Sequence, residues 1–325
     1  MRSVLSLILI ALAAVLPAEP ATLRVLQFNV LYGGDPRPEL GNGHPLQNKP
    51  RHSEIAAVIR ETKADVVVVC EMTRAARTRL PELLSEYDLI GDLFIRRTLA
   101  AEPIRDVPLP PKHTQDPSGA LLRLANGTQL AVFGTHWRPQ PDMLERARVE
   151  SLVAPLTPAR VAQLAADDSV LAPAKATLDA LRPWLARGAA VLLAGDLNQA
   201  SHLDWTRRAA DSKVARWAGA TCPEVPWGGT RHLESGGLVD AYRAVYPNEI
   251  SHRGDTWTPA YADGTPGRRS FAAQYAARID YVFIGGPCRA QAAWVVGEPG
   301  PYSDVAHEPW VSDHRAVLVE IAVGH

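Results

Sequence analysis

Short apolar runs of strand length recur along the sequence, and turn-forming residues separate them. Runs of about 4–8 apolar residues between turn signals are typical of β-strands that are buried on both faces. The runs are residues 23–30, 65–71, 120–124, 129–137, 189–197, 278–284 and 316–323. Helix-like stretches at His52–Thr62 and 174–186 precede two of them. Strands mixed with helices in this way predict an α/β or α+β sheet protein with one large domain.

Polar side chains stand at the ends of these apolar runs, where a strand leaves the core. The set is Asn29, Glu71, His136, Asp196, Asn198, Asp280, Asp313 and His314. Burying such a group without a partner costs several kcal/mol, roughly 2–7 kcal/mol even for a neutral polar group. Ligand sites of α/β sheets lie at the carboxyl ends of the strands. The pattern therefore predicts one polar cleft at one edge of a sheet.

The residue types of this set favour metal-assisted chemistry on a phosphate ester. Carboxylate and amide oxygens are hard ligands that suit Mg²⁺ or Ca²⁺, and histidines can donate protons or stabilise an anion near neutral pH. The sequence has no His-Glu-x-x-His or paired Cys-x-x-Cys pattern for zinc, no phosphate-binding P-loop and no dinucleotide glycine fingerprint. Together these features indicate hydrolysis of a phosphate ester by an activated water.

The chain resembles the endonuclease/exonuclease/phosphatase superfamily, which includes deoxyribonuclease I, neutral sphingomyelinases and inositol polyphosphate 5-phosphatases. The resemblance rests on motifs that follow one another in the family's order. They are Gln27-Phe28-Asn29, Glu71, Thr135-His136, Gly195-Asp196-Leu197-Asn198, Arg278-Ile279-Asp280-Tyr281 and Ser312-Asp313-His314. The resemblance implies a four-layer α/β sandwich, the deoxyribonuclease I-like fold, with two packed, mainly antiparallel sheets over residues 22–325. The stretches Ser201–Thr206, Leu238–Arg243 and Asp255–Pro259 resemble those of secreted bacterial members of the superfamily.

The resemblance also implies a role for most of the polar set. Glu71 is expected to be the principal Mg²⁺ ligand, with Asn29 beside it and Asp313 at a second metal position or water contact. Mn²⁺ or Ca²⁺ could replace Mg²⁺. Asp196 and Asn198 are expected to orient and activate the attacking water.

The remaining roles that the resemblance implies concern the histidines. His314 and His136 are expected to lie against the scissile phosphate, and Asp280 is expected to accept the other ring N–H of His314. The motifs leave open which histidine is the acid and whether one metal ion or two act. Deoxyribonuclease I pairs its first histidine with a glutamate from the middle of the chain, for which Glu102 is the nearest candidate here.

Substrate contacts are less well marked in the sequence. His202 follows the Gly-Asp-Leu-Asn turn and could face the cleft or cap the next segment, and Trp257 could line the cleft or simply pack. The Ala-rich segment 139–172 is weakly helical and could be a lid, a packing helix pair or an insertion.

The charge balance of the sequence bears on the class of partner that the chain binds. Lysine and arginine number 34 and aspartate and glutamate 35, so the formal net charge is −1 and counts mildly against a dedicated nucleic-acid binder. The favoured function is a Mg²⁺-dependent phosphodiesterase acting on a small-molecule, nucleic-acid or lipid-derived phosphoester. The alternatives are a deoxyribonuclease I-like endonuclease acting on extracellular DNA and a non-catalytic phosphate-binding protein on the same scaffold.

The N-terminus predicts export. Arg2, an apolar run and small residues to position 21 form a signal peptide pattern, and that run is too short to span a bilayer comfortably. No later run is apolar enough to serve as a membrane anchor, so a periplasmic or extracellular monomer is expected. In such a compartment Cys222 and Cys288 could form a disulfide.

Overall fold

Two β-sheets with helices on their outer faces make up the computed structural model, which describes residues 19–38, 46, 49–105, 107–113, 117–212, 223–257 and 276–324. The strands are β1 (Ala21–Asn29), β2 (Val66–Cys70), β3 (Tyr87–Ile90), β4 (Leu93–Arg96), β5 (Ala100–Pro103), β6 (Ser118–Arg123), β7 (Gln129–His136), β8 (Ala190–Asp196), β9 (Val239–Asp240), β10 (Asp280–Gly285), β11 (Cys288–Gly297), β12 (Val305–Ala306) and β13 (Ala316–Val323). The helices are α1 (His52–Thr62), α2 (Arg74–Leu83), α3 (Met143–Val153), α4 (Pro158–Ala165), α5 (Asp168–Ala186), α6 (Arg207–Asp211), α7 (Gly228–Ser235) and α8 (Ala241–Val245).

The strand order defines the two sheets. The first runs β12-β11-β13-β1-β2-β4-β3 and the second runs β5-β6-β7-β8-β10-β9. Among the described strands, the parallel neighbours are β1 with β2, β7 with β8 and β11 with β12, and the other neighbours are antiparallel. The predicted sandwich of two mainly antiparallel sheets is therefore confirmed.

Alternating side chains of β1 show how the layers are held together. Leu23 and Val25 pack into the apolar core between the two sheets. Leu26 and Phe28, on the opposite face of the same strand, pack under helices α1 and α2. The second sheet buries its outer face in the same way, with Phe133 of β7 packed under α5 and α7. Burial on both faces explains why these strands read as continuous apolar runs.

The apolar runs of the sequence are confirmed as strands β1, β2, β6, β7, β8, β10 and β13. The predicted helix at His52–Thr62 has the predicted bounds, whereas the helix expected at 174–186 begins earlier, at Asp168. Segment 139–172 forms α3, α4 and the first turn of α5. Its apolar side chains pack with Trp205 and Trp227 in a separate cluster, so this segment is a packing layer.

One edge of the sandwich collects the strand ends that carry the polar set. Asn29 ends β1, His136 ends β7 and Asp196 ends β8, while Glu71 directly follows β2. Asp280 begins β10 at the same edge, because β10 runs antiparallel to β8 and pairs Asp280 with Asp196. The strand register therefore brings together side chains from distant parts of the chain.

None of the described helices is both long and apolar enough to cross a membrane. Residues 1–18 and Cys222 lie outside the described residues, so the signal peptide and the disulfide to Cys288 stay predictions. The last residue of the predicted signal, Ala21, begins β1 and pairs with Val323 of β13.

Candidate active site

Asn29 is the centre of the polar cleft. Its side chain is completely buried, and its Nδ2 donates to Glu71 Oε1 at 3.2 Å and to Asp196 Oδ2 at 3.0 Å. Its Oδ1 accepts the backbone N–H of Leu31 at 3.1 Å. One amide thus links the carboxylate expected to hold the metal with the carboxylate expected to activate water, and the amide donates to both.

Asp196 lies between two histidines. Its Oδ2 is 3.5 Å from His136 Nε2 and 3.8 Å from His314 Nε2, and its Oδ1 accepts the backbone N–H of Asn198 at 2.8 Å. Burial alone would raise the pKa of Asp196, but the nearby His314 and His136 outweigh it and lower the pKa. A lowered pKa keeps this carboxylate ionised at neutral pH, so it can orient a water molecule by accepting a hydrogen bond from it.

Asp280 and His314 form a buried pair. His314 Nδ1 lies 2.9 Å from Asp280 Oδ2, and neither side chain is more than 7% exposed. Burial alone would lower the pKa of His314, but the carboxylates of Asp280 and Asp196 raise it to about 10. His314 is therefore an imidazolium at neutral pH that turns its Nε2 toward Asp196.

Gln27 is a member of the cleft to which sequence reasoning gave no role. Its Nε2 donates to Asp280 Oδ1 at 2.9 Å, and the backbone N–H of Asp280 donates to Thr256 Oγ1 at 3.2 Å. The signal for Gln27 was its spacing, because residues two apart on a strand share a face and Asn29 stands two residues later. Gln27 fixes the carboxylate that in turn fixes His314.

Left-handed backbone conformations cluster at this edge. Leu31, Tyr32, Glu71 and Asn198 all have φ between 49° and 64°, a region that costs a residue other than glycine about 1–3 kcal/mol. Tyr32 uses its conformation to donate its backbone N–H to Glu71 Oε2 at 2.7 Å. The side chain of Arg51 supports the turn by donating to the carbonyl of Leu31 at 2.9 Å. The surrounding structure therefore stabilises unfavourable backbone conformations that bring the Leu31–Tyr32 turn and Glu71 together.

The donor set fits a hard divalent cation. Glu71 is only partly buried, and each of its carboxylate oxygens keeps a lone pair beyond the hydrogen bonds from Asn29 and Tyr32. Asp313 is buried beside His314 and contributes to the raised pKa of that histidine. Oxygen donors of this kind suit Mg²⁺, Mn²⁺ or Ca²⁺ and disfavour soft metals.

A second arrangement of possible ligands is better explained as a hydrogen-bonded network. Among the described residues, Asp196, Asp280 and His314 bring one ligand atom each within 4.8 Å of one another. Both oxygens of Asp280 are engaged, one by Gln27 and one by His314. A cation bound there would have to displace the charged imidazole from its carboxylate.

His136 meets a residue that the sequence did not mark. Its side chain is 2% exposed, and its ring centroid lies 4.0 Å from that of His113. His113 also reaches the backbone carbonyl of His136 with Nδ1 at 3.3 Å. Glu102, the expected glutamate partner, instead lies on β5 with an exposed carboxylate that accepts from Arg123 at 3.4 Å. Within the described part of the loop before β6, the imidazole of His113 lies against His136, whereas Glu102 lies elsewhere.

The structure places the two predicted substrate residues away from the hydrogen bonds of the cleft. His202 turns its ring to α7, with Nδ1 2.9 Å from Thr230 Oγ1 and Nε2 3.0 Å from Glu234 Oε2. Trp257 forms a short bridge with Ala277 and packs against the cluster under α3 and α4. Their roles toward substrate stay predictions.

Arg278 anchors the start of β10. It donates through Nε to Asp204 Oδ2 at 2.9 Å and pairs through Nη1 with Asp240 Oδ2 at 2.7 Å, all three side chains being 1% exposed. Burial alone would lower the pKa of Arg278, but the two carboxylates hold it well above its ordinary value. Arg243 donates to Asp204 as well, at 2.6 Å. The ionic cluster of Arg278, Arg243, Asp204 and Asp240 fixes the backbone that leads into β10, which begins at Asp280.

Comparisons with known proteins agree with this geometry. A model of the Endonuclease/Exonuclease/phosphatase family matches residues 26–314. A truncated Caenorhabditis elegans TDP2 shares the fold with a TM-score of 0.53 and 17% identity, covering 93% of this chain and 97% of that chain. The D. rerio TDP2 structure complexed with a single-strand DNA product has a TM-score of 0.51 and 14% identity, covering 93% of this chain and 99% of that chain. At these identities the likeness shows the fold.

One curated relative shares part of the sequence. The uncharacterized protein F14F9.5 of Caenorhabditis elegans is 30% identical over 113 residues, which are 34% of this chain and 33% of that protein. The chain thus matches about a third of the length of this relative.

Proposed function

The chain belongs to the endonuclease/exonuclease/phosphatase family of metal-dependent phosphoester hydrolases, and from that premise we propose that it is an exported, Mg²⁺-dependent phosphodiesterase. The observation that carries the proposal is the amide of Asn29, which bridges Glu71 and Asp196 in a buried cleft flanked by His136 and His314. A cation ligand, a water-orienting carboxylate and two donors to a phosphate oxygen meet there, which is the set that phosphoester hydrolysis requires.

Glu71 would hold the Mg²⁺ ion, with the carboxylate of Asp313 as a further oxygen ligand and the amide of Asn29 beside it. Bound there, the ion would neutralise charge on the phosphate and on the leaving oxygen. The backbone N–H of Tyr32 keeps Glu71 in place, because it donates to the carboxylate from a strained turn.

Asp196 orients the attacking water and accepts its proton. Its Oδ1 is fixed by the backbone N–H of Asn198, whose own Nδ2 donates to the carbonyl of Trp137 at 3.0 Å. Because hydrogen bonds hold both oxygens of Asp196, its carboxylate loses little conformational entropy when it positions the water. The water is then oriented for attack in line with the leaving oxygen.

His314 and His136 stabilise the charge that gathers on the phosphate oxygens. His314 is an imidazolium because Asp280 and Asp196 raise its pKa to about 10, against the effect of its burial. A preorganised donor of this kind contributes on the order of 10²–10³ in rate. Glu71, Asp196 and Asp280 also bring three carboxylates to the cleft, which disfavours a dianionic monoester relative to a singly charged diester.

The substrate class is tested by parallel assays of the purified protein with Mg²⁺. The substrates are bis-p-nitrophenyl phosphate, p-nitrophenyl phosphate, single-strand DNA, plasmid DNA and sphingomyelin. We expect cleavage of bis-p-nitrophenyl phosphate to exceed that of p-nitrophenyl phosphate and to stop when EDTA is added. Faster cleavage of the monoester would overturn the diesterase assignment, and activity that survives EDTA would overturn the metal assignment.

Export is the second part of the proposal and is supported by the N-terminal signal pattern. The full chain expressed in a bacterial host should be recovered outside the cytoplasm with a new N-terminus near residue 21. Recovery of the unprocessed chain in the cytoplasm would contradict export and leave the enzymatic proposal intact.

A further inference from the structure

A cavity of about 470 Å³ opens beside the active site, at the N-terminal end of α5. We call it the His113 cavity. Its walls include Pro111, His113, Trp137, Arg138, Asp168 and Ala172. Three segments that are far apart in sequence therefore form it: the loop before β6, the residues after β7 and the first turns of α5.

The His113 cavity borders the catalytic cleft at His136. This histidine lines the cavity, and its Nε2 lies 3.5 Å from Asp196 Oδ2 in the cleft. His113 packs on the same imidazole with a centroid separation of 4.0 Å and an interplanar angle of 64°. A group covalently attached to a phosphate held at His136 could therefore extend into the cavity.

The walls combine apolar surface with both kinds of hydrogen-bonding group. Pro111, Trp137 and Ala172 supply apolar surface, and the ring of His113 adds an aromatic face. The exposed side chains of Arg138 and Asp168 supply donors and acceptors of opposite charge. This combination suits a ligand with a flat apolar face and an edge that both donates and accepts, which is the chemistry of a nucleobase.

The volume limits what can enter. Pockets for small organic ligands measure roughly 300–1,000 Å³, and the His113 cavity lies near the lower end of that range. A cavity of this size has room for one nucleoside, and a base paired in a duplex would first have to be unstacked and unpaired to enter it. The charged groups that line the cavity are Arg138, Asp168 and Lys112, and Lys112 is paired with Asp92.

We propose that the His113 cavity is a subsite for one unpaired nucleoside attached to the scissile phosphate. The inference rests on the proposed phosphodiesterase function and adds the substrate class. It assigns His113 and Ala172 to substrate selection, and the enzyme then prefers nucleoside phosphodiesters and single strands over paired DNA.

The test compares esters that differ only in the group offered to the cavity. The p-nitrophenyl esters of thymidine 5′-monophosphate and thymidine 3′-monophosphate present the nucleoside on either side of the phosphate, and methyl p-nitrophenyl phosphate presents no nucleoside. We expect kcat/KM for at least one thymidine ester to exceed that of the methyl ester by on the order of 10-fold or more. The isomer that is preferred identifies the side of the phosphate that enters the cavity.

Ala172→Trp fills the cavity from an exposed position of α5, and Ala176→Trp places the same side chain one turn further along the helix, outside the cavity walls. Ala172→Trp should lower kcat/KM for the preferred thymidine ester about tenfold more than for the methyl ester. Ala176→Trp should leave the ratio of the two esters at its wild-type value. The thermal transitions of both variants show whether the helix remains folded.

The two failures are distinguishable. If the wild-type protein cleaves the methyl and thymidine esters equally well, or if Ala172→Trp slows both by the same factor, the nucleoside subsite is wrong and the phosphodiesterase proposal stands. If the folded wild-type protein cleaves none of the esters with Mg²⁺, the proposed function itself has failed.

Discussion

His314 Nδ1 lies 2.9 Å from Asp280 Oδ2, and this buried contact decides the charge of the histidine. The pair connects outward to Gln27, whose amide holds the other oxygen of Asp280, and inward to Asp196, which faces His314 Nε2 at 3.8 Å. A chain of three hydrogen-bonded side chains thus runs from β1 into the cleft. Substitution of one side chain at a time therefore tests each hydrogen bond of this chain separately.

Asp280→Asn should lower kcat on the order of 10²–10⁴-fold, because an amide cannot stabilise the imidazolium of His314 or fix its tautomer. The measurement is steady-state hydrolysis of bis-p-nitrophenyl phosphate with saturating Mg²⁺. Asp88→Asn, at a carboxylate that is 60% exposed and pairs with Arg97, is the matched control and should keep wild-type kcat. A wild-type kcat in Asp280→Asn would show that the imidazolium of His314 does not contribute to catalysis.

Gln27→Leu should reduce kcat about tenfold with little change in KM, since Asp280 then loses one hydrogen bond and His314 loses its fixed position. The variant leaves an oxygen of Asp280 unpaired, which costs about 1–3 kcal/mol of stability. The kcat and KM values are measured beside the urea unfolding curve. A rise in KM with unchanged kcat would show that Gln27 contributes to binding and does not position the histidine.

Glu71→Gln should raise the Mg²⁺ concentration that gives half-maximal activity by about 10–100-fold, because the principal anionic ligand becomes neutral. The Mg²⁺ dependence of hydrolysis measures the change. Glu82→Gln, at an exposed residue of α2 that pairs with Arg79, provides the comparison. An unchanged Mg²⁺ requirement in Glu71→Gln would place the metal elsewhere.

Asp204→Asn should destabilise the fold by about 3–5 kcal/mol, since Arg278 and Arg243 then share one fewer buried counter-charge. The free energy of unfolding from a urea titration tests this. Asp211→Asn removes an exposed carboxylate that pairs with Arg207 on α6 and should cost less than about 1 kcal/mol. Equal losses in the two variants would mean that burial of the ionic cluster contributes nothing.

The carboxylate of Glu249 should make the stability of the fold depend on pH. Burial would raise the pKa of Glu249, but Arg208 and Thr206 hydrogen-bond its carboxylate and lower the pKa below 4.5. The ionised carboxylate therefore stabilises the fold fully above about pH 4.5 and loses this effect as the pH falls through the folded-state value. Glu249→Gln should lower the Tm at about pH 7 and approach wild type in acid. A Tm difference that stays constant down to about pH 3 would contradict the assignment.

The sequence predicted the cleft because its members stand at the ends of buried strands. Asn29, His136 and Asp196 each close an apolar run, and the observed register pairs Asp196 of β8 with Asp280 of β10. Strand β11 was not predicted because Arg289 and Gln291 interrupt its apolar residues, and its first half is only partly buried or exposed.

His113 could not have been found in the same way. It lies in a proline-rich loop without periodicity, and its approach to His136 depends on backbone hydrogen bonds between residues 111–113 and His136. A contact between a loop and a strand end arises from tertiary packing, which no local pattern encodes. Glu102, the nearest candidate for a glutamate partner of His136, lies on β5 with its exposed carboxylate paired with Arg123, and its position in the chain did not reveal this.

The central claim is that Asp196 performs metal-dependent chemistry on a phosphodiester in this cleft. The direct test is hydrolysis of bis-p-nitrophenyl phosphate by EDTA-treated wild-type and Asp196→Asn protein as Mg²⁺ is added back. We expect Mg²⁺ to restore the turnover of the wild-type protein. Asp196→Asn should keep an unchanged thermal transition and stay slower by on the order of 10²–10³-fold. Wild-type turnover in Asp196→Asn, or turnover by the wild-type protein without a divalent metal ion, would contradict it.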